Sequence, residues 1–216
     1  MSSGQLFVIS APSGTGKNTL IRALLDTDLK GFGKLVHSVS HTTRRPREGE
    51  VDGRDYHFID RTEFEEMIAH DRFLEWAEVF GDYKGTSVDQ VDPRLDDGID
   101  VILDIDVQGA LQLFERRPAA TGIFILPPSR EEMERRIRTR GLDGPEQISR
   151  RLSLSRWEIE RYGAYDYAII NDDLGRASEA LAAIILDRRH RRERMERQIQ
   201  GILGGFSSPG NDSPGD

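Results

Sequence analysis

A chain of 216 residues carrying a net charge of −8 and no cysteine has the size of one compact domain with small inserts. Disulfide frameworks, thiolate metal sites and cysteine nucleophiles are excluded at once, and a cytoplasmic location fits that composition. No apolar run approaches the ~20 residues of a membrane span, and the first residues lack a basic, apolar-centred leader, so neither membrane insertion nor secretion is expected. The acidic total argues against nucleic-acid binding by bulk charge, although basic residues cluster at 44–47, 130–151 and 188–197.

In chain order, short apolar runs bounded by Gly, Pro or Asp read as buried strands at 6–10, 35–40, 101–105, 122–126 and 167–170. Helical patterns fall between them at 19–25, 107–114, 129–138, 145–162 and from Leu174 to about Gln200. This alternation predicts an α/β fold, a parallel five-stranded sheet covered on both faces, built from residues 1–40 and 98–190. Residues 41–97 interrupt it with strand-like pieces at 56–59 and 73–79, a Thr62–Glu65 capping box and a turn at 81–85, the pattern of a small α+β insert. Residues 129–152 form an arginine-rich lid broken at 141–145. Residues 191–216 should finish the last helix, and from Gly204 onward nothing can be buried, so a disordered tail is expected. The alternating charges of 188–197 suit a solvated helix better than an RNA-binding face.

The first strand runs into APSGTGKNTL and then a helix, the context of a phosphate-binding loop. Ala11, Pro12, Ser13, Gly14, Thr15, Gly16, Lys17, Asn18 and Thr19 are its candidate members. Gly14 and Gly16 allow the sharp turns that aim N–H groups at phosphate oxygens, while Lys17 and the helix N-terminus supply positive charge. Two positions depart from the usual pattern. Ala11 replaces a glycine, a mild change, and Asn18 replaces the Ser or Thr whose hydroxyl contacts Mg²⁺, leaving an amide as a poorer ligand.

Arg44 and Arg47 flank Pro46 and could hold two guanidinium forks towards one phosphate dianion. Asp104 and Asp106 close the third strand, where alternation puts them on one side, at the strand ends above which parallel sheets bind ligands.

Together with the phosphate loop, the segments SVSHTTRRPREGEVDGRDYHF, FLEWAEVFGDYKGTSV, ILDIDVQG and YDYAIINDD resemble the guanylate kinase family over nearly the whole chain. The resemblance implies a nucleoside-monophosphate-kinase fold and Mg-dependent in-line transfer of the γ-phosphoryl of ATP to GMP, with dGMP as a further candidate substrate. It implies that Arg44, Arg47 and Tyr56 hold the GMP phosphate and that Ser40, Glu75, Thr86 and Asp106 surround the guanine. Lys84 stands where a second tyrosine on that phosphate is usual. A carboxylate such as Glu75 can accept from both N1–H and the 2-amino group, a pair of donors that adenine lacks. By the same resemblance Asp104, with Asn18, holds the hydrated Mg²⁺; Arg136, Arg140 and Arg151 close over the triphosphate; and Asn171 contacts the adenine.

Two other readings stand beside this one. A guanylate-kinase-like module can serve as a catalytically impaired binding platform, and Asn18 is a step in that direction; the retained lysine and arginines argue against it. A kinase of another nucleotide is disfavoured by Glu75 and Asp106. A homo-oligomer is left open.

Overall fold

The computed structural model describes residues 3–26, 34–79, 81–139 and 144–206. Strand β1 (Leu6–Ser10) leads into helix α1 (Lys17–Asp26), followed by β2 (Leu35–His37), β3 (His41–Thr42), β4 (His57–Phe58) and α2 (Arg61–Ala69). A hairpin of β5 (Phe73–Val79) and β6 (Asp82–Ser87) precedes α3 (Val88–Asp96), β7 (Asp100–Asp104), α4 (Val107–Arg116) and β8 (Thr121–Leu126). The chain ends with α5 (Arg130–Thr139), α6 (Pro145–Ile159), β9 (Tyr167–Ile170), α7 (Leu174–Arg189) and α8 (Arg192–Phe206).

Strands β2, β7, β1, β8 and β9 lie in that order in a five-stranded parallel sheet. Alternation divides each central strand between two cores. Phe7, Ile9, Ile102, Ile123 and Ile125 meet Leu20 and Leu24 of α1 and Leu181 and Ile185 of α7 on one face. Leu6, Val8, Val101 and Leu103 meet Val91 of α3 and Leu113 of α4 on the other. A second sheet, ordered β4-β3-β6-β5, is mixed, and its Phe73 packs with Phe64 and Met67 of α2. Helix α4 packs on β5 as well as on β1, so it bridges the two sheets.

Several local expectations are corrected. The cap of α2 is Asp60, whose Oδ1 accepts from the Glu63 amide at 2.8 Å, so the Thr62–Glu65 pair lies inside the helix. The residue-81–85 turn is narrower: Gly81, with φ +89°, makes it, and Gly85 lies in β6, where an added Cβ would come within 2.9 Å of Trp76 Cβ. Helix α3 carries only one fully buried residue, Val91, too weak a stripe to read from periodicity. The 174–200 helix is two helices, broken at His190 and Arg191, where five consecutive cationic or imidazole residues, 188–192, give the chain nothing to bury. Helix α8 carries on to Phe206, past the Gly204 at which a tail was expected; residues 207–216 and the lid break at 140–143 lie outside the described residues.

The C-terminal end of α7 is tied to the sheet through Asp100. One carboxylate oxygen of Asp100 accepts from the Gln5 amide at 2.7 Å and the other from Arg189 Nε at 2.5 Å, with Asp100 buried. Removing one partner of a buried, hydrogen-bonded pair leaves the other groups desolvated and unmet. Asp100→Ala is expected to lower unfolding stability by about 3 kcal/mol, measured by urea denaturation, while Asp82→Ala in the exposed hairpin changes it by less than about 0.5 kcal/mol.

Candidate active site

The turn from β1 into α1 is forced by two left-handed residues, Gly14 at φ +85° and Gly16 at φ +90°, a conformation that costs L-residues roughly 1–2 kcal/mol. Space is closed there as well. A Cβ on Gly14 would come within 2.8 Å of Ile137 in α5, and one on Gly16 within 2.9 Å of Asn171 Nδ2. Ala11 is not at positive φ, so the missing first glycine has no backbone consequence. Thr15 folds its hydroxyl back on the Pro12 carbonyl at 2.7 Å. Its own carbonyl accepts from Asn171 Nδ2 at 2.8 Å and from Arg136 at 3.1 Å. That carbonyl is thus held by donors from two separate elements, while the Thr15 amide donates to the Pro12 carbonyl at 3.3 Å.

Lys17 opens α1 and reaches across to the end of β7, where its ammonium pairs with Asp104 and donates to the Ile105 carbonyl at 3.1 Å. Asn18 lines the same cavity of about 240 Å³ as residues 11–17, Val79, Arg151 and Glu158, whereas Thr19 lines a neighbouring cavity with Arg135, Arg136, Asn171 and Leu174. The one-residue rotation of a helix, about 100°, separates the two side chains in this way. Pro12 is buried in the loop's floor, and the Ser13 hydroxyl is met by Arg151 of α6 at 3.0 Å.

Across the cleft, Glu75 of β5 is buried, and Thr86, its partner in register on β6, is buried too. Ser40 Oγ lies 3.4 Å from the Thr86 hydroxyl. The Glu75 carboxylate rests against the first turn of α4, where a Cβ on Gly109 would overlap its Oε2, and its Oε1 has no hydrogen-bond partner. Burial pushes its pKa up to about 7, with the Thr86 hydroxyl opposing the rise, the Asp106 charge adding to it and Lys17 close enough to bear on it. Asp106 caps α4, accepting from the Gly109 amide at 2.9 Å. Because β7 ends at Asp104, capping rather than strand alternation fixes the direction of Asp106.

The expected pair of arginines is asymmetric. Arg44 is half-buried, donates to both oxygens of Glu50 at 2.8 and 2.9 Å, and lies 5.5 Å from the Tyr56 ring centroid. Lys84 sits on the same ring at 5.6 Å, so the substituted position shares Tyr56 with Arg44. Tyr83 turns the other way, stacks on Phe64 and accepts from Arg61 at 2.8 Å. Arg47 is exposed; its backbone amide meets Glu50 at 2.7 Å, while its guanidinium makes no hydrogen bond among the described residues.

The lid arginines divide as well. Arg151 points at the phosphate loop. Arg136 does not face the cradle: its guanidinium is held by Glu132 at 2.7 Å, by the Thr15 carbonyl and by the Asn171 carbonyl at 3.1 Å, on the wall of the cavity that Thr19 lines. Asn171, expected at the adenine, is buried and bonded to the loop, so it braces Thr15 while lining that cavity. Arg140 lies outside the described residues.

Three residues of this region escape a reading by motif. Gly109 makes room for Glu75, Glu50 holds Arg44, and Glu158 of α6 is a buried carboxylate in the phosphate cavity, its pKa raised to about 7 by burial. A seven-residue spacing from Arg151 on one helix face was the available signal for Glu158.

A strand, a glycine-bent loop with a lysine, and a helix at the centre of a parallel sheet, beside a second, mixed sheet that carries the buried Glu75, define a phosphate-loop protein with the nucleoside-monophosphate-kinase fold. Sequence and structure comparisons make that narrower. The guanylate kinase profile matches residues 3–188. Guanylate kinase of Alkalilimnicola ehrlichii is 51% identical over 200 residues, covering 93% of this chain and 97% of that protein, and that of Escherichia coli K12 is 50% identical over 93% and 94%. The crystal structure of guanylate kinase from Anaplasma phagocytophilum superposes with a TM-score of 0.72 at 33% identity, covering 92% of this chain and 97% of that one. The chain belongs to the guanylate kinase family.

The Glu75 environment has a consequence for stability. The ordinary glutamate value is 4.5 and the folded value about 7, so the folded chain keeps a proton that the unfolded chain releases. Stability therefore falls as pH rises through that interval. Glu75→Gln is expected to be more stable than the parent by about 3 kcal/mol at pH 7.5 and nearly equal to it at pH 4.5, read from calorimetric melting across that range.

Proposed function

We propose that this protein phosphorylates GMP at the expense of ATP, and that the cleft between the two sheets is where transfer occurs. The observation that carries the reading is the Glu75 carboxylate, buried against Gly109 with an acceptor oxygen unmet, within reach of the Lys17 charge. An unmet buried acceptor costs stability unless a ligand uses it. Two adjacent acceptors match the N1–H and 2-amino edge of guanine. Thr86, Ser40 and Asp106 complete the base pocket; Arg44, Tyr56 and Lys84, joined by Arg47, receive the monophosphate.

On the donor side, loop amides and the N-terminus of α1 take the β and γ phosphates of ATP, and Lys17 exchanges Asp104 for phosphate oxygens. Arg151, already at Ser13, supplies charge from the lid, and Arg140 is assigned the same task. The base of ATP fits the cavity lined by Thr19, Arg136, Asn171 and Leu174. Arg136 on this reading sets the loop and the base rather than the transferring group. Phosphoryl transfer asks little covalent chemistry of a protein, so alignment and charge neutralisation supply the acceleration.

Among the described residues no group of three or more His, Cys, Asp or Glu could hold a metal alone. The donors present, an exposed Asn18 amide and Asp104, suit a Mg²⁺ bound chiefly by phosphate oxygens and water. Bound there, the ion would supply positive charge against the phosphates of the nucleotide.

A coupled assay with GMP, dGMP, AMP and CMP tests the substrate class; turnover favouring AMP or CMP would overturn it. In the same assay Glu75→Gln should lower kcat/KM for GMP by about 10²-fold or more, with the KM for ATP little changed. A parallel loss for both substrates would make Glu75 structural. Asn18→Ser should raise kcat by between a few-fold and ~10² and sharpen the Mg²⁺ dependence, with the KM for GMP little moved. Equal kcat and equal magnesium curves would mean the amide serves as well as a hydroxyl.

A further inference from the structure

Helix α6 delivers two opposite charges to the phosphate cavity. Arg151 and Glu158 are seven residues apart, nearly two full turns, and the buried Ser155 between them bonds back to the Arg151 carbonyl at 2.8 Å. Arg151 makes sense at a site for polyphosphate. Glu158 does not: it is only 8% exposed and lines the same cavity as Lys17 and Asn18, and among the described residues its carboxylate makes no hydrogen bond or ion pair. Lys17, the nearest compensating charge, is already committed to Asp104, and Asp106 adds repulsion. An uncompensated carboxylate beside bound triphosphate would weaken ATP binding.

A cation between the two anions removes that conflict. Mg²⁺ sheds water reluctantly and keeps several water ligands in nucleotide sites, and the hydrogens of those waters need acceptors beyond the inner ring of ligands. In this cavity Asn18 offers one neutral amide oxygen where a hydroxyl is usual. Glu158 offers two carboxylate oxygens with all their lone pairs unspent. Resting on the reading that the loop binds Mg·ATP, we propose that Glu158 is a positioning residue for the ion, accepting hydrogen bonds from the water ligands of the divalent cation that accompanies the nucleotide.

The sign of its effect distinguishes this role from a structural one. Without metal Glu158 repels the triphosphate; with metal it helps hold it. Calorimetric titration of the full chain with the β,γ-imido analogue of ATP at about pH 8.5, where the Glu158 carboxyl is ionised, in MgCl₂ and in EDTA, reads both without turnover. Glu158→Gln should bind the analogue a few-fold more tightly in EDTA and show a magnesium enhancement reduced about tenfold, within the usual range of coupling between two ligands. Glu158→Asp keeps the charge but withdraws it by one methylene, so its affinity in EDTA should stay at the parent's while the enhancement falls; this variant carries the test if Glu158→Gln does not fold. Equal factors of change in both buffers, or an undiminished enhancement in both variants, overturns the proposal. A parent protein that binds the analogue in neither buffer overturns the nucleotide reading itself, and this proposal with it.

Discussion

One peptide carbonyl, that of Thr15, governs the geometry of the cleft. Two donors from separate elements, the Asn171 amide beyond β9 and the Arg136 guanidinium of α5, converge on it. Rotation of that peptide would swing a carbonyl into the cradle and put lone pairs where phosphate oxygens belong. Its fixation is therefore what makes the loop a site for anions. The glycines on either side give the backbone permission to adopt the turn, and the two donors select it. The fold then supplies the rest in sequence: β1 buried on both faces anchors the loop, α1 carries Lys17, and β7 brings Asp104 up beside it.

The burial of the Glu75 carboxylate between two sheets is the second constraint. Glu75 belongs to a hairpin of the smaller sheet, yet the wall against its carboxylate is the N-terminal turn of α4, which packs on the larger one. Gly109 is glycine because a carboxylate occupies the space of its side chain. Asp106 acts on two neighbours at once, satisfying the Gly109 amide and raising the pKa of Glu75 by its charge. The acidity of this region is tolerable because Lys17 and the N-terminal dipole of α4 supply opposing potential.

The legibility of the chain follows from how strongly each segment is buried. Central strands such as 6–10, apolar on both sides, announce themselves, and the phosphate loop does so because its lysine and glycines must stand at fixed intervals. Helix α3 is nearly invisible since a single fully buried valine and an internal proline give no periodic stripe. The cap of α2 is ambiguous in the sequence because Asp60 and Thr62 both satisfy the local pattern, and only the packing of Phe64 and Met67 decides which residue stands outside the helix. Glu75 was legible as chemistry through its resemblance to known relatives, while Glu50 and Glu158 were hidden. Each gains its meaning from its surroundings in the fold: Glu50 from the Arg44 it holds, and Glu158 from the cavity it lines with Lys17 and Asn18.

The grip of Glu50 on Arg44 bears on the energetics of an empty pocket. A bare guanidinium over Tyr56 would sample many rotamers, and a ligand would have to freeze them. Here the internal carboxylate has already done so during folding, so the conformational entropy of that side chain is settled before any substrate arrives. Arg44 is correspondingly muted as a long-range attractor, since its charge is largely answered from within. Such an arginine adds little electrostatic steering, and offers instead a guanidinium whose geometry is preset.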